Sequence, residues 1–91
     1  MAEIKVHPRV HRRHPEIDDE DVRSAWRNAI AMGRRLDTVP HVLVAIGFDT
    51  NGRLLEVLAV FMDDGTCLAF HAMKAAKKTF RELGLEERWP Q

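Results

Sequence analysis

An α+β fold is predicted by three features of the sequence. Two dipeptides, Asn51-Gly52 and Asp64-Gly65, separate three apolar runs. Such pairs favour the tight turns of an antiparallel meander, because the central turn positions need φ > 0. Ahead of them, an acidic cluster from Glu16 to Asp21 introduces apolar residues at helical spacing. After them, a lysine-rich segment ends at Gly84, a helix stop signal. The predicted order is β-α-β-β-β-α: a three- to four-stranded antiparallel meander on one long helix, with a second short basic helix after the last strand.

Each element has its own local reason. Glu3 to His7 alternates and reads as a short edge strand, and the basic stretch from Pro8 to His14 reads as a helical turn. Pro15 and the acids signal a helix start, with Asp18 or Asp19 as N-cap. Carboxylates in the first turn suit the positive end of the helix dipole. The helix is expected to run to about Arg35, with Val22, Ala25, Trp26, Ala29, Ile30 and Gly33 as its apolar stripe. Trp26 is the expected anchor against the sheet. Leu36 to Pro40 is a linker, and Pro40 bars a helix before the next strand.

The strands are His41–Asp49, Arg53–Met62 and Thr66–Met73. If each dipeptide alone forms its loop, Phe48 faces Leu55, Ile46 faces Val57, Val44 faces Ala59 and Val42 faces Phe61. In the second hairpin Phe61 then faces Leu68, Ala59 faces Phe70 and Val57 faces Ala72. These residues share one apolar face. The other face carries Leu43, Ala45, Gly47, Glu56, Leu58, Val60, Cys67, Ala69, His71 and Met73, and needs a cover from the last helix or from a partner chain. On it Gly47 lies opposite Glu56, with His71 diagonal to Glu56 and within reach of a long side chain. The last helix spans Lys74 to Leu83, placing Lys74, Lys77, Lys78 and Arg81 within about 60° of one another at ~100° per residue. Residues 85–91 are expected to be a poorly ordered tail in which Trp89 is available to pack.

A chain of 91 residues, 45% hydrophobic, is expected to be one domain, 1–91, with a modest core. Its formal net charge is zero, so bulk charge favours no class of partner. The single cysteine, Cys67, cannot form an internal disulfide, which fits a reducing cytosol. No leader-like apolar segment opens the sequence and no run approaches ~18 apolar residues. The expected location is cytoplasmic, away from membranes. His7, His11 and His14 do not follow a zinc-ligand spacing, and neither a metal nor a cofactor is expected.

Three segments resemble the BrnT branch of the RelE/ParE toxin superfamily. Arg13-His14 before the acidic helix start is similar to that branch's Lys-His-Gly segment. Ala45-Ile46-Gly47, followed by Asn51-Gly52-Arg53-Leu54-Leu55-Glu56-Val57, is similar to its Ile-Gly hairpin with a Gly-Arg pair. Phe70 to Ala76 stands where the branch has Ile-Ile-Ser-Ala-Arg-Arg-Ala-Thr before a basic last helix. The likeness spans roughly residues 11 to 83. It departs at Met73-Lys74, where the branch has tandem arginines, at His71 in place of serine, and at Pro15 in place of glycine.

The resemblance implies endonucleolytic cleavage of RNA, restrained by an antitoxin protein encoded next door. Metal-free cleavage needs a base for the 2′-hydroxyl, an acid for the leaving 5′-oxygen, and cations for the phosphate. His71 is the candidate acid or base, Glu56 its partner, and Lys74 completes the expected catalytic set. Lys77, Lys78, Arg81, Arg53, Arg13 and His14 are the expected RNA or partner contacts. The same residues also fit blander roles: Glu56 and His71 as a hydrogen-bonded surface pair, and the lysines as a solvated helix face. An inactive toxin-fold module that binds an antitoxin-like partner or forms a homodimer fits as well, and so does nucleic-acid binding without cleavage.

Overall fold

The computed structural model describes residues 4–85 of the chain. Its order is β1 (Ile4–Val6), α1 (Arg9–Arg13), α2 (Asp19–Arg27), β2 (Ala29–Arg35), β3 (Val42–Phe48), β4 (Leu54–Phe61), β5 (Cys67–Lys74) and α3 (Lys77–Glu82). The α+β class is as expected, but the sheet is five-stranded and mixed, in the order β1-β5-β4-β3-β2. β1 pairs parallel with β5, and the other pairs are antiparallel.

The long helix is the main correction. α2 begins as expected: Asp18 accepts from the Asp21 N–H and Asp21 accepts from the Asp18 N–H, a reciprocal capping box. It ends at Arg27, however, and Asn28 caps it through its N–H to the Ser24 carbonyl. Ala29 to Arg35 then alternates between half-buried and exposed, the period of a strand. As an antiparallel neighbour of β3, this segment satisfies backbone groups that a longer helix would leave bare on the β3 edge. Of the expected tail, Leu85 is buried, and residues 86–91, including Trp89, lie outside the described residues.

Both meander turns use three-residue loops rather than the dipeptides alone. Asp49 and Arg53 close the first (Asp49 N–H to Arg53 O, 2.9 Å), and Met62 and Thr66 close the second (Met62 N–H to Thr66 O, 2.7 Å). Gly52 and Gly65 take φ of 81° and 86°, the left-handed residue that follows a type I turn in such loops. One extra loop residue shifts the register by one and reverses which side chains share a face. In the first hairpin the shift persists, so Ala45 faces Val57, Ile46 faces Glu56 and Gly47 faces Leu55. In the second, a bulge at Phe70 takes it back: Ala59 faces Ala69 near the turn, yet Val57 faces Ala72 beyond it, as expected.

The core follows from this corrected register. Val22, Ala25 and Trp26 of α2 pack on Leu43, Ala45, Leu55, Val57, Ala59, Cys67, Ala69 and Ala72. Gly47 belongs to this face, not beside Glu56. A Cβ there would fall 1.9 Å from the Ala25 carbonyl oxygen, so its role is to admit the α2 backbone. On the opposite face Ile46, Phe80 and Leu85 form a second cluster with Ala31, Leu54, Ala75 and Leu83. α3 therefore covers part of this face, while Val60 and Met73 stay half-buried and Met62 is exposed. Gly84 follows it with φ of 72°, ending the helix where expected.

Candidate functional site

Glu56 sits mid-strand in β4, only 5% exposed, on the face away from Trp26. A buried carboxylate must be hydrogen-bonded, and this one holds three donors. Oε1 accepts from the Ala76 N–H (2.9 Å) and the Thr79 hydroxyl (2.8 Å), and Oε2 accepts from His71 Nε2 (3.0 Å). Burial pushes the carboxyl up. The hydrogen bonds from His71, Ala76 and Thr79 outweigh that and hold it below the usual carboxylate range. Glu56 is thus an ionised acceptor, so Nε2 of His71 carries the proton and Nδ1 is the nitrogen not committed to Glu56.

The expected diagonal contact is present because Leu58 faces His71 across the β4–β5 pair. The two residues open on a cleft of about 360 Å³ whose walls include Leu58, Phe70, Met73, Arg9, Arg35 and Lys78. Arg35 is committed to Glu82 through two 2.8 Å bonds. Arg9 and Lys78 form no ion pair among the described residues. The His14 ring, which is not among the cleft-lining residues, meets His71 edge-on, with centroids 6.4 Å apart and planes at 88°. His14 is placed by its N–H bond to the Val10 carbonyl at the end of α1.

Other expected site residues lie elsewhere. Lys74 is the last residue of β5, opposite Leu55, and strand alternation turns it to the face away from His71. It is not part of α3, which starts at Lys77, so the four-cation stripe breaks at its first member. Lys77 and Arg81 are exposed on α3, and only Lys78 lines the cleft. Arg53 bonds Asp49 and lies 3.5 Å from Asp21, joining the first turn to the start of α2. Arg13 is exposed at the end of α1.

The three N-terminal histidines go separate ways. His7 Nδ1 accepts from the Arg9 N–H, His11 bridges the Ile17 carbonyl and Asp19, and His14 meets His71. Among the described residues, no group of three or more His, Cys, Asp or Glu side chains is arranged to hold a metal ion.

Sequence reasoning missed Arg9 and Thr79. Arg9 stood in a basic run with nothing to single it out. Thr79 lies among helix positions where a hydroxyl has no local use. Its burial at 0% exposure follows from α3 lying over Glu56, which no local pattern announces. In comparisons with known proteins, no family model, no curated protein and no solved structure matches the chain.

Proposed function

We propose that this chain is a metal-independent endoribonuclease of the toxin type, held in check by an antitoxin protein. The observation that carries the reading is the Glu56–His71 bond opening on a cleft that also holds Arg9 and Lys78. Glu56 fixes the ring and stabilises the imidazolium, and Nδ1 exchanges a proton with RNA. Arg9 and Lys78 neutralise the phosphate as charge builds, with Lys77, Arg81 and Arg13 as outer contacts to the backbone or to the partner. The test is incubation of the purified protein with RNA in chelator. Cleavage is expected, and His71→Ala should slow it by about 10² or more. A loss under about threefold removes His71 from the reaction.

A second reading is favoured by β2. Its outer edge has no strand partner among the described residues, and Ile30 and Met32 on this strand are 37% and 48% exposed. An inactive module that pairs this edge with an antitoxin-like segment or a second copy accounts for that surface. Intact RNA at stoichiometric protein, with a concentration-dependent mass by light scattering, would favour it. The neighbouring reading frame discriminates further: a small repressor that co-purifies supports a toxin–antitoxin pair.

A further inference from the structure

We propose that His14 is the second proton-transfer group of this site, working with His71 on one phosphodiester of an RNA chain. This rests on the ribonuclease reading above. Cleavage at a 2′-hydroxyl needs two proton transfers on opposite sides of phosphorus, and Glu56–His71 supplies only one. The two imidazoles come from distant parts of the chain, one ending α1 and one in β5, yet meet with ring centroids 6.4 Å apart. Both side chains are about equally open to solvent, at 30% and 27%. α1 also contributes Arg9 to the cleft wall, so this short helix presents a cation near its start and an imidazole at its end.

The two histidines are held differently, and this divides their roles. His71 is tied at 3.0 Å to a buried carboxylate with its own fixed donors, which stabilises the cation formed when Nδ1 accepts a proton. His14 has, among the described residues, a loose carboxylate neighbour in Glu16 at 3.9 Å, itself 57% exposed. In the step proposed, His71 Nδ1 takes the 2′-hydroxyl proton. The 2′-oxygen bonds to phosphorus, the bond from phosphorus to the 5′-oxygen breaks, and that oxygen takes a proton from protonated His14. The products are a 2′,3′-cyclic phosphate and a 5′-hydroxyl end. No co-reactant is needed, and proton exchange with water resets both rings.

Substitution of the leaving oxygen tests this directly. An RNA with sulfur in place of the bridging 5′-oxygen leaves as a thiolate and needs no acid. His14→Ala and His14→Gln should each cleave ordinary RNA about 10² slower or worse, yet cleave the sulfur substrate within about tenfold of wild type. His71→Ala should be slow on both. A merely supporting role for His14 predicts equal losses on the two substrates, and that result overturns the assignment. So does His14→Ala cleaving ordinary RNA within about threefold of a wild type that cleaves it. A wild type that leaves both substrates intact overturns the ribonuclease reading itself. Using two substitutions separates loss of the imidazole from loss of folding, because glutamine keeps the bulk and polarity at position 14.

Discussion

Glu56 uses both oxygens to hold a helix and an imidazole at once, and its substitutions should separate the two tasks. In Glu56→Gln the amide oxygen still accepts from Ala76 and Thr79, but an N–H now points at His71 Nε2. His71 must then present a lone pair there and carry its proton on Nδ1. The expected outcome is a chain that keeps its fold with cleavage at least about tenfold slower, read by circular dichroism beside the RNA assay. Thr79→Val removes one donor while leaving the buried carboxylate in place, and should cost about 1–3 kcal/mol in a denaturant titration.

The pairing of Glu56 with His71 was legible from strand pattern. Both dipeptide loops were read one residue short, but neither error reached this pair. The first inverted only β3, which holds neither residue, and the bulge at Phe70 undid the second before His71. Asn-Gly and Asp-Gly suit two- and three-residue loops alike, so the dipeptides could not distinguish them. Lys74 was misplaced because the junction between β5 and α3 carries no breaker, only Ala75-Ala76.

At the scale of elements, α2 and β3 make the tightest demand. The Ala25 carbonyl occupies the space where a side chain at Gly47 would begin. Gly47→Ala should therefore push the helix off the sheet and cost about 1–3 kcal/mol or more, visible as a lowered melting temperature. The stripe that suggested a helix through Gly33 was ambiguous for a similar reason. Ala29, Ala31 and Gly33 are small because neighbouring elements press on them, and small residues fit either period. Gly33, for example, has Leu83 of α3 2.7 Å from where its Cβ would stand. Exposed Met32 and Arg34 gave no counter-signal.

α1 is joined to α2 by a different kind of tie. His11 meets two acceptors, Asp19 and the Ile17 carbonyl, and these bonds raise its pKa above the ordinary ~6.5. Only the doubly protonated ring donates to both. This tie is at full strength below the unfolded value of about 6.5 and is lost as pH rises through the raised value. Hydrogen exchange in α1 should accelerate beyond the intrinsic rate across that window, and His11→Ala should abolish the change.

For the molecule as a whole, the sheet lies between α2 on one face and α3 on the other, and each layer is fastened by a buried acid. Glu56 fastens α3. Asp21 fastens the start of α2: burial pushes its carboxyl up, but bonds from Thr50 and the Asp18 N–H, with Arg53 nearby, leave it below the usual range. For both groups the stabilisation is present above the unfolded carboxylate value of ~4 and is lost as pH falls through the lowered values. Melting temperature should therefore drop steeply on acidification below about pH 4, and Glu56→Gln should flatten part of that drop. A melting temperature indifferent to pH between 3 and 5 would remove this role from both acids.

The two edges of the sheet are guarded unequally. One ends in three-residue β1, continued by α1 against β5, and the other is seven-residue β2 with exposed Ile30 and Met32.

Among the described residues β1 has one strand neighbour, and that neighbour follows β2, β3 and β4 in the chain: Ile4 lies beside Cys67 and Val6 beside Ala69. As the polypeptide leaves the ribosome, β1 has no strand to pair with until β5 has emerged. His14 and Arg9, carried by the segment just after it, meet His71 only once β5 is in place. The cleft is therefore a joint product of distant segments, and a nascent chain that has not yet made β5 lacks its central imidazole.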